Sequence, residues 1–112
     1  MMRLLILVCM IHLIVSCSST EQETSDCIEE KVTSFKTSQS DCIGASIISY
    51  LYSDQQVYAF SDGQCISDGG TQIWDSDCNS VCFLGGIAGF TDCNGEDFYE
   101  LAEELMIIWE VN

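Results

Sequence analysis

Basic side chains are almost missing from this chain. Its 112 residues include three Lys or Arg in total and a single histidine, His12, against eighteen Asp and Glu. Arg3 and His12 both lie within the first sixteen residues, so everything from residue 17 onward lacks imidazole and guanidinium. That removes most familiar catalytic machinery. A serine or cysteine nucleophile would have no imidazole to take its proton. An arginine clamp for phosphate or carboxylate cannot be built. A zinc site of His and Cys is excluded once the thiols are oxidised. Residues 17–112 set two lysines, Lys31 and Lys36, against eighteen carboxylates, a net charge of −16. Such a surface repels phosphate backbones, which excludes nucleic acid as a partner. The acidity runs along the whole chain and keeps it solvated; the partners it would attract are basic proteins or divalent cations. A long apolar run is also absent: Leu4 to Met10 is far short of the ~20 residues that span a bilayer.

What is present begins with Cys17. Arg3, the apolar stretch Leu4 to Met10, and then Leu13-Ile14-Val15-Ser16-Cys17 have the layout of a bacterial lipoprotein signal. In such signals the peptidase cuts before the cysteine, whose sulfur carries a diacylglycerol. The expected organisation is a signal peptide over 1–16, a lipidated Cys17 with a flexible tether over 17–26, and one domain over 27–112. Residue 18 is Ser rather than Asp, so the common inner-membrane retention signal is absent. The expected location is the outer membrane, held through the lipid, facing either the periplasm or the outside. The stretch Ser18-Ser19-Thr20-Glu21-Gln22-Glu23 is loosely similar to the surface-export signal of Bacteroidetes lipoproteins.

Eight cysteines are present. Cys9 leaves with the signal and Cys17 takes the lipid. Six remain, Cys27, Cys42, Cys65, Cys78, Cys82 and Cys93, an even number that reads as three disulfides in a small exported domain. Bridges supplement the modest core that so short a chain can bury.

Ile28, Val32 and Phe35 recur at helical spacing and predict a helix from Asp26 to Phe35. Ser25 or Asp26 caps it, and Glu29 and Glu30 suit its first turn. Thr37 to Asp41 reads as a polar connector. Ala45 to Asp62 reads as a β-hairpin with a two-residue turn at Ser53-Asp54. That turn pairs Tyr52 with Gln55, Tyr50 with Val57 and Ile48 with Ala59. Extending the register sets Cys42 opposite Cys65, at a spacing a disulfide can close. Ser67 to Gly70 is a turn and Thr71 to Trp74 a short strand. From Asp75 to Gly95 the glycines and Asp/Asn residues predict a shaped lobe rather than a regular element. Cys82 and Cys93 flank its apolar centre; a bridge there would leave Cys27 with Cys78. Six cysteines allow fifteen pairings, and only Cys42–Cys65 rests on more than proximity in sequence. Phe98 to Glu104 has helical spacing, and Leu105 to Glu110 alternates like a final strand. The fold class is therefore α+β: a small disulfide-stapled domain with an N-terminal helix, a hairpin-based antiparallel sheet, a Gly-rich lobe and a C-terminal helix and strand.

Three chemical readings follow. Asp75, Asp77 and Asn79 have the alternate spacing of oxygen ligands that opens a calcium loop, with Asp92 to Asp97 as a second acidic turn. Ser80 and Gly86 stand where an EF-hand needs Gly and Glu, and Asx residues are ordinary in turns, so the turn reading leads and no cofactor is expected beyond this calcium candidate. Paired carboxylates would allow glycoside-hydrolase chemistry, but a domain this small has little room for a cleft. Trp74, Trp109, Tyr50, Tyr52, Tyr58 and Tyr99 would form either a binding platform or core, with core favoured for Trp109 and Phe60. The leading expectation is a non-catalytic envelope binding or interaction protein, inhibitor-like in form. The alternatives are a calcium-stabilised structural module and a small carboxylate-dependent hydrolase.

The run Ile73-Trp74-Asp75-Ser76-Asp77-Cys78-Asn79-Ser80-Val81-Cys82-Phe83-Leu84-Gly85-Gly86-Ile87-Ala88-Gly89, with Asn94-Gly95-Glu96-Asp97-Phe98, resembles a family of small lipoprotein-like chains from Flavobacteria and relatives, domain of unknown function 6970. The hairpin Tyr52 to Phe60, the early Cys27-Ile28-Glu29 and the late Ile108-Trp109 are also similar to it. The resemblance implies cysteines at Cys27, Cys42, Cys65 and Cys78. Cys82 and Cys93 depart from the pattern, which suits an extra bridge between them. It implies a domain type and no reaction.

Overall fold

A computed structural model of the protein describes residues 25–86 and 88–112. Cys17, the signal segment 1–16 and most of the tether lie outside the described residues.

The first element, α1 (Asp26–Ser38), starts where the sequence supplies a cap. Ser25 is extended, and its Oγ accepts the Ile28 N–H at 3.4 Å. Asp26 and Glu29 occupy the first turn and Lys36 the last, each favourable to the helix dipole. Asp26 thus belongs to the helix and not to the tether. At the other end the helix outlasts Phe35 by three residues, taking in part of the expected connector. Thr33 and Thr37 donate to carbonyls four residues back and so remain compatible with it.

Four strands follow: β1 (Ser46–Tyr52), β2 (Gln55–Ser61), β3 (Gly70–Asp75) and β4 (Ser80–Gly85). The β1–β2 register is the one read from the sequence, from Tyr52↔Gln55 to Ser46↔Ser61. Ser53 and Asp54 both hold positive φ, 53° and 63°, as a two-residue hairpin turn with the strand twist requires. Beyond the ladder the Gln64 N–H still reaches the Ile43 carbonyl at 2.9 Å, and Cys42 and Cys65 are bridged with Cα atoms 5.3 Å apart.

Next come a short hairpin, β5 (Asp92–Cys93) and β6 (Glu96–Asp97), a single helical turn, α2 (Phe98–Leu101), and β7 (Glu103–Glu110). Asn94 (φ 54°) and Gly95 (φ 90°) make the β5–β6 turn, an Asn-Gly pair in the left-handed region that such turns demand. The large sheet is antiparallel, ordered β4-β3-β2-β1-β7.

Each face of this sheet carries its own core. On one face α1 packs Ile28 against Ile47, Tyr58 and Phe60. Phe35 meets Phe60 edge-on at 5.3 Å and Trp109 at 6.1 Å. On the opposite face Val57, Ala59, Ile73 and Leu84 pack against Cys93 and Phe98. The central strand β2 therefore buries four consecutive residues, Val57 to Phe60, alternate ones serving alternate cores. Tyr52 and Tyr58 are buried, and Tyr99 is the exposed tyrosine.

Two expectations need correction. The segment after Asp75 is not all loop, because Ser80–Gly85 is a strand paired with β3. Its inward residues, Cys82 opposite Ile73 and Leu84 opposite Thr71, alternate with exposed Phe83. A bulge near Ser80 and the glycines after Leu84 hide that alternation. The C-terminal helix is one turn, not a run to Glu104. Pairing along β1 prevails over helical spacing: Glu103 opposes Leu51 and Glu104 opposes Tyr50.

Candidate functional site

α1 does not cover its whole face of the sheet. It lies over Ile47, Tyr58, Phe60 and Trp109, leaving β4 outside the core it forms. A groove of about 730 Å³ opens between α1 and the β3–β4 edge. Its floor is aromatic, with Phe60, Trp74 and Phe83 alongside Gln72. Phe83 is 52% exposed, a large apolar ring facing open space.

Each floor position has a local cause. Gly70 opposes Gly85 at the start of β3, and a side-chain Cβ there would come within 2.6 Å of the Phe83 ring and press on the Leu84 carbonyl. The ring of Phe83 therefore sits close against the backbone at residue 70 because that residue is glycine. Gln72 is committed to the scaffold: the two N–H groups of its Nε2 are shared among the Ile73 carbonyl, the Cys82 carbonyl and Ser80 Oγ at 2.9–3.1 Å. Buried Gln39 holds Asp62 at one end of the groove. Its Oε1 accepts the Gly63 N–H at 3.0 Å, and its Nε2 donates to Asp62 Oδ1 at 3.3 Å. Asp62 Oδ2 takes the Gly70 N–H at 3.2 Å. At the other end the Cys27–Cys78 bridge joins α1 to the β3–β4 turn, and Ser25 Oγ donates to the Ser76 carbonyl at 2.6 Å.

Lys31 reaches across from α1, with Nζ 3.8 Å from the centroid of the Trp74 ring. It is one of the two cations in residues 17–112. The groove thus presents aromatic rings, one ammonium and a rim carboxylate from Glu30. It suits an apolar anchor with a polar or charged flank. The Lys31–Trp74 contact and the exposed Phe83 were not singled out from the sequence. Lys31 lies four residues after Cys27, a helical neighbour of a bridged position, and that was the available signal.

The calcium candidates sit in the β3–β4 turn. Asp75 Oδ1 accepts the backbone N–H groups of Asp77 and Asn79 at 2.9 and 2.8 Å, and Oδ2 accepts the Asn79 amide at 3.3 Å. The Asn79 backbone N–H chiefly holds this carboxyl below its ordinary 3.8, with the Asn79 amide and the Asp77 N–H adding to it against the opposing effect of burial. In the second acidic turn Asp92 Oδ2 takes the Gly95 N–H at 3.2 Å. Among the described residues, no group of three or more His, Cys, Asp or Glu is placed to hold a metal ion.

Removing the Asp75 carboxylate should therefore loosen the turn. We expect Asp75→Ala to cost about 1 kcal/mol in denaturant titration. A carboxyl with a lowered folded-state pKa stabilises above its unfolded pKa, and that contribution vanishes as pH falls through the folded value. The stability gap between the native chain and Asp75→Asn should be full near about pH 6 and close below about pH 4.

The remaining cysteines pair as Cys82–Cys93, with Cα atoms 5.4 Å apart, so all six described cysteines are bridged. Cys82–Cys93 fastens β5 beneath β4 on the face away from the groove.

No curated protein and no solved structure matches the chain. A family model does, beginning within α1 and taking in all seven strands, while Cys27, Ile28 and Glu29 precede the matched stretch. Over residues 33–111, the chain belongs to the family described as a domain of unknown function (DUF6970).

Proposed function

We propose that this chain is a non-catalytic binding module of a Gram-negative cell envelope, lipid-anchored at Cys17, whose groove receives an apolar side chain of a basic partner protein. The observation that carries this reading is the aromatic groove of about 730 Å³ with exposed Phe83 as its unfilled wall. Three further points support it. The net charge of −16 from residue 17 onward draws basic proteins at long range. No imidazole or guanidinium is available there to serve chemistry. Every carboxylate among the described residues is at least partly exposed, and none lies in a dry cleft. The anchor reading rests on the run from Arg3 to Cys17, and an outer-membrane location on Ser18. A cross-linked domain of this kind matches the form of an enzyme inhibitor.

The test uses two basic enzymes, a lysozyme and a trypsin-class protease, titrated with the full chain in detergent. Binding should quench Trp74 fluorescence in a Trp109→Phe background and reduce enzyme turnover. The groove contact should survive high salt, which screens simple charge attraction. Phe83→Ser should weaken binding about tenfold, roughly 1.4 kcal/mol, while the unfolding free energy falls by less than about 1 kcal/mol. Binding that vanishes with salt and ignores Phe83→Ser would remove the groove from the account. Failure to bind either enzyme would retire the inhibitor form.

A further inference from the structure

We propose that the outer edge of β7 is a second docking surface, where an extended basic segment of a partner protein adds to the sheet as a further strand. This edge lies at the opposite end of the strand order from the groove. It goes beyond the binding reading above and stands on different residues.

β7 runs eight residues, and among the described residues β1 is its sole strand partner. Its outer row of N–H and C=O groups is a template for pairing. The other edge, β4, is partly closed, because the chain turns back and Phe90 bridges to Gly85. Leu105, Met106 and Ile107 are 45%, 52% and 48% exposed. Met106 opposes Ser49 and Ile107 opposes Ile48, so these apolar groups fall on both faces of the strand. An added strand would find apolar contacts above and below the backbone bonds.

Charge decides between a second copy and a different partner. Glu103 and Glu104 stand at one end of β7 and Glu110 at the other. Antiparallel self-pairing centred between Met106 and Ile107 would set Glu103 against Glu110 of the other copy. Parallel self-pairing in register would set each glutamate against itself. Like charges directly opposed across strands are destabilising. End charges of like sign are a usual guard against edge-to-edge self-association. The same glutamates complement a strand with Lys or Arg at both ends and an apolar centre.

The probe is a synthetic peptide of about ten residues, long enough to span β7, with lysines at both ends and alternating valine and threonine between. Added to the full chain in detergent, it should slow amide hydrogen exchange across 103–110. Its Kd should rise about tenfold from low to physiological salt. Glu103→Lys combined with Glu110→Lys should weaken it at least about tenfold with the fold retained. Methylating the peptide's backbone nitrogens along one edge should abolish binding, since the lysines remain but the ladder cannot form. Phe83→Ser should leave this binding unchanged, which separates it from the groove. Retained affinity in the double variant or with the methylated peptide overturns the proposal. So does protection confined to the groove, or a dimer joined through β7 before peptide is added.

Discussion

Replacing both Cys27 and Cys78 by alanine is expected to lower the unfolding free energy by about 4 kcal/mol. The bridge closes a loop with a sequence separation of 51, the longest of the three. Chain-entropy arguments give about 4 kcal/mol for such a loop and about 3 for the separation of 11 between Cys82 and Cys93. The native side adds to the ranking, because Cys27–Cys78 also fixes the first turn of α1 beside Trp74. Against a total of about 5–15 kcal/mol for a typical domain, that loss is a large fraction. Guanidinium titration of the two paired-alanine variants would measure it. A larger loss from Cys82 and Cys93 than from Cys27 and Cys78 would contradict the loop argument.

Phe98→Ala should cost about 3–5 kcal/mol. Phe98 is fully buried, with ring centroids 5.2 Å from Tyr50, 5.0 Å from Tyr52 and 5.2 Å from Tyr99. It stands at the start of α2, just after the Asp97 cap, whose Oδ1 accepts the Glu100 N–H at 3.2 Å. Truncation would hollow the core that joins the β5–β6 hairpin to the sheet. Tyr52, whose one hydroxyl proton lies between Glu96 Oε1 at 3.2 Å and the Cys93 carbonyl at 3.4 Å, would lose its neighbour as well. Thermal unfolding should show a fall in Tm, and near-ultraviolet dichroism a loss of tyrosine signal. Phe83→Ala is the internal comparison. That ring is half exposed, so its removal should cost under about 1 kcal/mol.

The difference between these two phenylalanines also marks what the sequence disclosed. Local chemistry was legible. Ser25 is a capping residue, the Ser53-Asp54 turn sets the hairpin register, and that register alone brought Cys42 to Cys65. Asp75, Asp77 and Asn79 gave a turn with oxygens on alternate residues, and in the fold Asp75 Oδ1 serves the backbone donors of Asp77 and Asn79. Long-range pairing was not legible. Nothing near Glu103 and Glu104 says that β1 will recruit them, and helical spacing through Glu104 pointed elsewhere until the pairing with Leu51 and Tyr50 prevailed. The groove was invisible for a related reason. Phe83 and Lys31 acquire their roles only when α1 leaves β4 uncovered, a matter of how layers stack. A strand ending in Leu84-Gly85, with Gly86 straight after it, breaks its own alternation, so Phe83 looked like part of a loop.

The junction at Ser25, Cys27, Ser76 and Cys78 bears on mechanics. A pull arriving along the polypeptide ahead of residue 25 meets a covalent cross-tie within the first helical turn. Load then passes straight into the hairpin formed by the third and fourth strands, and the rest of the helix hangs outside the line of force. Unzipping that helix from its leading end is thereby barred for as long as the sulfurs stay oxidised.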